Sequence, residues 1–359
     1  MRALLAAGGT GGHLFPAEAL AGELARRNHT IALLTDARAG DLLAEFPADE
    51  IGIVSAGTPS GRRIGAMVKA FGALGVGLVQ SIRIMRRFKP DVAVGFGGYP
   101  TLPPLTAAKL LGIPAIVHEA NAVSGRANRR LAKGAHVATS FPEVKGLQGA
   151  RSVERVGMPV RAKVREAAAP YTASKGPFRL VVFGGSQGAR AFADIVPPAV
   201  ARLDEGDRTR LSIVQQCRPE DMDRVREAYA AADVTAELAP FFTDLPEKMA
   251  AAHLVIARSG AGTVAELSVI GRPAFLVPLP GAIDQDQAHN ASALAALGAA
   301  RRLDQGLLSP ERLAHELKIA LNAPQDLAEA AEAARGLALP DAAERLADLC
   351  ERVAEGRGR

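Results

Sequence analysis

The chain has 359 residues, is 48% hydrophobic and carries 43 Lys+Arg against 38 Asp+Glu, enough for two domains of ordinary size with real apolar cores. Trp is absent and the only cysteines, Cys217 and Cys350, stand far apart in sequence, which excludes a disulfide framework and points to a reducing compartment. Residues 1–159 carry 19 Lys+Arg against 11 Asp+Glu, a net of +8 that leaves −3 for the rest; with no nucleic-acid motif or aromatic stacking platform beside this charge, an anionic membrane surface is the expected partner and nucleic acid is not.

Ala3 to Ala7 is a short apolar run that predicts a buried strand. Its apolar character ends at glycines too soon for a signal-peptide core. Gly8, Gly9, Gly11 and Gly12 then let the backbone turn sharply, and a helix is predicted from Pro16 to Arg27. Strand, glycine turn and helix start bring backbone N–H groups and a helix dipole to one place, where an anion binds. His13 is the residue of this turn that moves a proton near neutral pH. A nicotinamide-dinucleotide fingerprint starting at Gly9 would need glycine at position 14, which is Leu, and Asp36 near the expected ribose acid does not rescue it.

Ile31 to Leu34 and Ile51 to Val54 read as the next strands. Short apolar runs alternating with helical stretches predict an α/β fold, a parallel sheet with helices on both faces. From Ile64 to Phe88 the period changes, and Ile64, Met67, Val68, Phe71, Leu74, Leu78, Ile82 and Met85 gather on one helical face. Arg62, Arg63, Lys69, Arg83, Arg86, Arg87 and Lys89 flank or interrupt it. The pattern fits a core helix with a solvated basic back, and equally an interfacial helix whose cations meet anionic lipid. The longest uncharged apolar run, Ala70 to Val79, is too short to span a bilayer, so a cytoplasmic location is expected.

Val92 to Val94 is a strand ending in Gly95, Phe96, Gly97, Gly98, Tyr99 and Pro100, and Ala115 to Val117 delivers His118, Glu119 and Asn121 to the same sheet edge, where parallel sheets bind ligands. His118 and Glu119 do not begin an H-E-x-x-H zinc motif, since position 122 is Ala. A helix over Ser124 to Leu131 carries Asn128. After a Pro- and Gly-bearing connection at 157–177 the opening is replayed: Arg179 to Phe183 is a strand, and Gly184, Gly185, Ser186, Gln187 and Gly188 form a second turn. Two such units predict two doubly wound domains facing each other, with the ligand in the cleft.

Leu254 to Ala257 leads into Arg258, Ser259, Gly260 and a helix on which Thr263 and Glu266 share a face, and a carboxylate there can accept both hydroxyls of a ribose. Pro273 to Pro278 is a further strand. Asp284 and Asp286 form a D-x-D, but at a helix start acids are favoured electrostatically, and no metal is assigned. The tail from Pro324 is helical, with Pro340 separating two helices.

Taken together, GGTGGHLFP (8–16), GFGGYPTLP (95–103), HEAN (118–121), GMPVR (157–161), GGSQGAR (184–190), RSGAGTVAE (258–266) and DQDQAHN (284–290) resemble, in order and over nearly the whole chain, the MurG-type N-acetylglucosaminyltransferases of bacterial peptidoglycan synthesis. The resemblance implies a B-type glycosyltransferase fold of two Rossmann-like domains: 1–160 binding acceptor and membrane, 161–177 a linker, 178–340 binding the UDP-sugar, and 341–359 a helix packing back on the first domain. It implies inverting, metal-independent transfer of N-acetylglucosamine from UDP-N-acetylglucosamine to the muramoyl C4 hydroxyl of lipid I, giving lipid II, without a cofactor. The implied place is the cytoplasmic face of the inner membrane, with cell-wall synthesis and division proteins as partners. For a lipid-anchored acceptor the interfacial reading is preferred, with Ile64, Met67, Phe71, Leu74, Leu78, Ile82, Arg83, Arg86 and Arg87 at the membrane.

By the same resemblance His13 is the candidate base and Glu119 the second candidate. Gly8, Gly9, Gly97, Gly98, Tyr99, His118 and Asn128 match acceptor positions. Thr10, Gly11, Gly12, Asn121, Arg161, Gly185, Ser186, Gln187, Phe242, Ser259, Gly260, Thr263, Glu266, Asp286 and Gln287 match donor positions. The sequence departs from the family's pattern at Ala120, Gly262, Asp286 and Gln215 to Arg218. A UDP-N-acetylglucosamine 2-epimerase and a noncatalytic scaffold for undecaprenyl intermediates are the alternative readings.

Overall fold

The computed structural model describes residues 1–57, 64–185, 189–281 and 284–356. The chain divides into two compact units, Met1–Arg161 with Leu339–Arg359, and Ala162–Ala338. It runs β1 (Arg2–Ala6), α1 (Gly11–Arg26), β2 (Thr30–Thr35), β3 (Glu50–Ile53), α2 (Ile64–Phe88), β4 (Val92–Gly95), α3 (Leu102–Leu110), β5 (Ala115–Glu119), α4 (Arg126–Leu131), β6 (His136–Thr139) and β7 (Ser152–Arg155) in the first unit. The second unit contains α5 (Ala162–Ala167), β8 (Phe178–Phe183), α6 (Arg190–Ala201), α7 (Glu205–Arg208), β9 (Leu211–Gln216), α8 (Met222–Ala231), β10 (Thr235–Ala239), α9 (Leu245–Ala251) and β11 (Leu254–Ala257). It continues with α10 (Ala261–Ile270), β12 (Ala274–Leu276), α11 (Asp286–Ala296), β13 (Ala300–Arg302), α12 (Pro310–Asn322) and α13 (Pro324–Leu337), after which α14 (Ala342–Glu355) returns to the first unit.

Each unit is one parallel sheet, ordered β3-β2-β1-β4-β5-β6-β7 in the first and β10-β9-β8-β11-β12-β13 in the second. The strands are near-continuous apolar runs because both faces are covered: Ala3, Leu4, Leu5 and Ala6 of β1 and Leu254, Val255, Ile256 and Ala257 of β11 have no exposed surface. In both sheets the order reverses direction beside the first strand, between β1 and β4 and between β8 and β11. At such a point the loops after the two strands part, and a crevice opens at their carboxyl ends.

Within the stretch read as a connection, α5 packs Val164 into the second unit with no surface exposed. On α14, Leu346, Leu349, Cys350 and Val353 recur at helical spacing and join Leu20 and Leu24 of α1 in one buried cluster. Each large apolar side chain so buried contributes about 1.5–3 kcal/mol. Arg27 donates to Asp348 and Glu351, and His29 Nε2 lies 2.7 Å from Glu351, which fixes how α14 lies on α1.

Two expectations from the sequence need correction. The first helix starts at Gly11 rather than near Pro16: Thr10 is its extended N-cap, and His13 and Leu14 both donate to the Thr10 carbonyl. Pro16 is the sixth residue of this helix; its ring keeps the φ a helix requires but offers no N–H to the Gly12 carbonyl one turn back. His13 therefore belongs to the first helical turn and not to the loop.

The second correction concerns α2. Its span is the one expected, but the buried line is Ala70, Gly77, Ser81, Met85 and Phe88, whereas Met67, Val68 and Phe71 are exposed and Leu74, Leu78 and Ile82 half-buried. Gly77 sets the approach, since a Cβ there would sit on the Ser55 carbonyl oxygen. Arg83, Arg86 and Arg87 are exposed, with Arg87 paired to Glu50, and the side chain of Ile64 lies outside the described residues. By length and composition alone α2 could cross a membrane, yet Met85 and Phe88 pack into the core of the first unit.

Candidate functional site

In the first unit the turns after β1 and β4 come side by side because Leu5 and Ala6 are in register with Val94 and Gly95, and Phe96 N–H donates to the Ala6 carbonyl. The His13 ring lies against the Gly97–Gly98 backbone: a Cβ on either glycine would come within 3.3–3.4 Å of it. Both glycines have φ in the left-handed range, 92° and 78°, so no side-chain-bearing residue fits there without strain. His13 Nδ1 is 3.1 Å from Thr10 Oγ1. With Nδ1–H donating to that hydroxyl, Nε2 is left to accept a proton. Burial, and then the Arg38 charge, hold the His13 pKa below the usual histidine value despite Asp36, so the ring is neutral near pH 7.

The glycine turn is less open to an anion than its composition suggests. The Gly9 N–H is already donated to Asp36 Oδ2 at 3.2 Å, and Thr10 N–H to the Gly8 carbonyl at 2.7 Å. The backbone of the first helical turn, at Gly11 and Gly12, is what remains to meet a phosphate. Asp36 thus serves the turn rather than a ribose. Burial alone would raise its pKa, but hydrogen bonds from Arg38 and Gly9 outweigh burial and hold it below the carboxylate range. Arg38 grips the same carboxylate through Nε at 2.9 Å and NH2 at 2.7 Å. Sequence reasoning passed over Arg38; the signal was Asp-x-Arg immediately after a strand.

Glu119 is the hub of the next strand end. It is 1% exposed and accepts from Asn121 N (3.0 Å), Asn121 Nδ2 (3.3 Å), Gly125 N (3.2 Å) and Asn128 Nδ2 (2.8 Å). Asn128 Nδ2 also donates to the His118 carbonyl, and the amide lies beside Gly97 on the same side as His13. Burial raises the Glu119 pKa against these donors, and its lone pairs are occupied within the fold. The geometry gives Glu119 the work of holding Asn128 and the 121–125 loop. Tyr99, half-buried, opens the short 3-10 turn after Gly98.

His118 is not presented to a ligand. It has no exposed surface, tilts against Phe96 at 5.5 Å and donates from Nε2 to the Gly157 carbonyl at 3.0 Å. Burial outweighs that hydrogen bond and brings its pKa down from 6.5 to about 4. Between these values the unfolded chain takes up a proton that the folded chain refuses. Stability fully present above pH 6.5 is therefore lost as pH falls towards 4, by about 3 kcal/mol at most. Denaturant titrations at pH 7 and pH 4.5 should show this loss in the parent chain and a smaller one in His118→Asn; identical pH dependence in both would remove His118 as its source.

Arg161, placed by the sequence with the donor phosphates, belongs to the first unit, where its guanidinium stacks over Phe15 at 4.3 Å. Asn121 is half-buried at the Glu119 hub.

In the second unit the turns after β8, β11 and β12 meet at one sheet edge, since Ala257 is in register with both Phe183 and Leu276. Gly184 N–H donates to Gln216 Oε1, whose amide donates on to the Pro240 carbonyl, and Gly185 has φ 88°. Ser186 and Gln187 lie outside the described residues. Ser259 is fully buried and its hydroxyl donates to the Gln287 carbonyl at 2.8 Å, so its side chain latches two loops rather than meeting a ligand. Asn290 Nδ2 donates back to the Ser259 carbonyl, and Gln287 Oε1 accepts from Leu279 N–H. Arg258 ties the same loops through the Val277 and Pro278 carbonyls. Gly260 is the N-cap of α10, Thr263 lies in its first turn, and Glu266 follows one turn later, both half-buried. Phe242 is half-buried with Lys248 Nζ 5.2 Å from its ring. Asp286 opens α11, where a carboxylate meets the helix dipole. Among the described residues no three His, Cys, Asp or Glu side chains are grouped to hold a metal ion.

Comparison with known proteins covers both units. Residues 3–139 match the glycosyltransferase family 28 N-terminal domain and residues 179–346 the glycosyltransferase family 28 C-terminal domain. The chain is 56% identical over 353 residues to a protein of Methylobacterium sp. (strain 4-46) named UDP-N-acetylglucosamine–N-acetylmuramyl-(pentapeptide) pyrophosphoryl-undecaprenol N-acetylglucosamine transferase, covering 96% of this chain and 95% of that one. It is 53% identical over 359 residues to a protein of the same name from Brucella abortus (strain S19), covering 99% and 94%. The crystal structure of Acinetobacter baumannii MurG superposes with a TM-score of 0.81 at 31% identity, over 98% of this chain and 100% of that one. A kitacinnamycin glycosyltransferase shares the fold at a TM-score of 0.74 and 18% identity, over 98% and 99%.

Proposed function

The chain belongs to glycosyltransferase family 28, and from that membership we propose that it transfers N-acetylglucosamine from UDP-N-acetylglucosamine to the C4 hydroxyl of the muramoyl sugar of lipid I. The product is lipid II for peptidoglycan synthesis, on which cell shape and division depend. The fold is the B-type glycosyltransferase fold of two Rossmann-like units. Family membership in both units favours the transferase over the epimerase and scaffold readings.

The observation that carries the mechanism is a neutral, half-buried imidazole in the first turn of α1, braced on the Gly97–Gly98 turn. His13 Nε2 takes the proton of the C4 hydroxyl as that oxygen bonds to the sugar C1, and the bond from C1 to the UDP oxygen breaks on the opposite face, inverting C1. The negative charge gathering on UDP meets the N–H groups at the start of α10, which stabilise it in place. Glu266 accepts the ribose hydroxyls, and Phe242 offers its backbone to uracil. The first helical turn at Gly11 and Gly12, matched by the sequence to the donor, offers its N–H groups to phosphate.

The working location is the cytoplasmic face of the inner membrane, held peripherally. Exposed Met67 and Phe71 of α2 and the exposed cations Arg83 and Arg86 support contact with an anionic bilayer. Labelled N-acetylglucosamine should pass from UDP-N-acetylglucosamine to a lipid I analogue equally with and without EDTA. Loss of product in EDTA would reopen Asp284 and Asp286 as metal ligands, and no product in either would refute the transferase.

A further inference from the structure

In the second sheet β9 lies between β8 and β10, and its last residue, Gln216, stands where the three strands part. Register pairing of β8 with β9 ends at Val182 and Gln215, and that of β9 with β10 ends at Gln216 and Ala239. Beyond these pairs the Gln216 side chain continues the ladder. Its Oε1 accepts from the Gly184 N–H at 3.0 Å and its Nε2 donates to the Pro240 carbonyl at 3.1 Å, as a peptide unit of a middle strand bonds to both of its neighbours. Gln216 is 7% exposed, so it acts through these two backbone partners rather than by meeting a ligand itself. Gln215, one position earlier, points to the other face of the sheet, is fully buried and accepts from the Tyr229 hydroxyl of α8. The two neighbours divide the work: Gln215 fastens a helix to the sheet, and Gln216 fastens one loop to another.

What lies at the two ends gives this tie its meaning. Gly184 leads into Gly185, whose φ of 88° turns the chain, and Pro240 leads to Phe242; Gly185 and Phe242 both match donor positions. A nucleoside diphosphate carries its base and its phosphates on one framework, so it binds well only when the two loops stand at the matching separation. Two loops ordered independently would each cost conformational entropy on binding, whereas an amide bonded to both lets the ordering of one reduce the cost of ordering the other.

We propose that Gln216 is a positioning residue for the sugar donor: engagement of the 240–242 loop by the base sets the Gly184–Gly185 turn for the diphosphate, and the reverse. The inference rests on the donor reading of the second unit given above and deepens it by making the two halves of the nucleotide bind cooperatively. Coupling of this kind is reciprocal, and cutting it should cost UDP about tenfold in affinity while uridine, which engages one loop only, keeps its affinity within about twofold.

Titration calorimetry of uridine and of UDP into the full chain, Gln216→Met and Gln215→Met tests it, methionine filling a similar volume without either hydrogen bond. In Gln216→Met the ratio of UDP to uridine affinity should fall about tenfold, with KM for UDP-N-acetylglucosamine rising to match and kcat at saturating donor staying within about threefold. Gln215→Met should lower the thermal midpoint and leave the ratio where it was. An unchanged ratio in Gln216→Met, or an equal fall in both variants, would overturn the tie. On the unmutated chain, saturating uridine should slow amide hydrogen exchange at 182–185 as well as at 240–244. Protection confined to 240–244 would overturn the tie even if the Gln216 variant does not fold. Failure of UDP to bind the unmutated chain would defeat the donor reading itself, and the tie with it.

Discussion

Replacing His13 by Ala lowers kcat by about 10²- to 10⁴-fold while UDP-N-acetylglucosamine binding is retained. The expectation follows from where the ring sits. It is clamped between Thr10 Oγ1 and two glycines that tolerate no side chain, on the first unit, so its loss leaves the turns after β8 and β11 untouched. Steady-state transfer and calorimetric donor binding on the same preparation separate the two effects. Because burial and Arg38 depress its pKa, the acid limb of kcat/KM in the parent enzyme should lie below pH 6.5, and activity should fall only as pH drops through that lowered value. Undiminished kcat in the Ala variant would assign the proton to another group.

Glu119→Gln discriminates the rival base. In the structure this carboxylate faces N–H donors from Asn121, Gly125 and Asn128, so an amide there points an N–H at one of them. The variant should lose about 2–4 kcal/mol of stability, since hydrogen bonds to a charged acceptor are worth about 1.5–3 kcal/mol each. Displacement of Asn128 should lower kcat by up to about 10²-fold. The acid limb should keep its position, because the titrating base is still His13. An acid limb that disappears in this variant and survives in His13→Ala would exchange the two roles.

The parallel sheets and the first glycine turn were legible in the sequence because each rests on a local pattern: an apolar run of strand length, then residues that alone permit the turn. Which side of α2 is buried was not legible, for a physical reason. Periodicity weighs large apolar residues, whereas the side of a helix that approaches a backbone most closely must be small, so Ala70, Gly77 and Ser81 face inward and Phe71 outward. The start of α1 was misplaced because Pro16 was taken as a boundary, although two glycines in helical conformation precede it. At the site, residue types were readable but their allegiance was not. Nothing near Asp36 in sequence tells that it caps the Gly9 N–H, and nothing near Ser259 tells that it bonds to a carbonyl 28 positions on. Such partners are set by which loops the sheet order makes neighbours.

The return of α14 has a consequence for how the molecule is made. The second unit is a continuous stretch of chain, complete once residue 338 has left the ribosome, but the core of the first unit includes Leu346, Leu349, Cys350 and Val353. The usual order of synthesis, in which the leading domain matures first, is therefore inverted. The first unit must wait with an apolar seam on α1 uncovered while about half of the polypeptide is translated and folds, and its final closure is among the last events of biogenesis. On the mechanism proposed above, in which α1 holds the base His13, catalytic competence is expected only once this last helix has closed on α1.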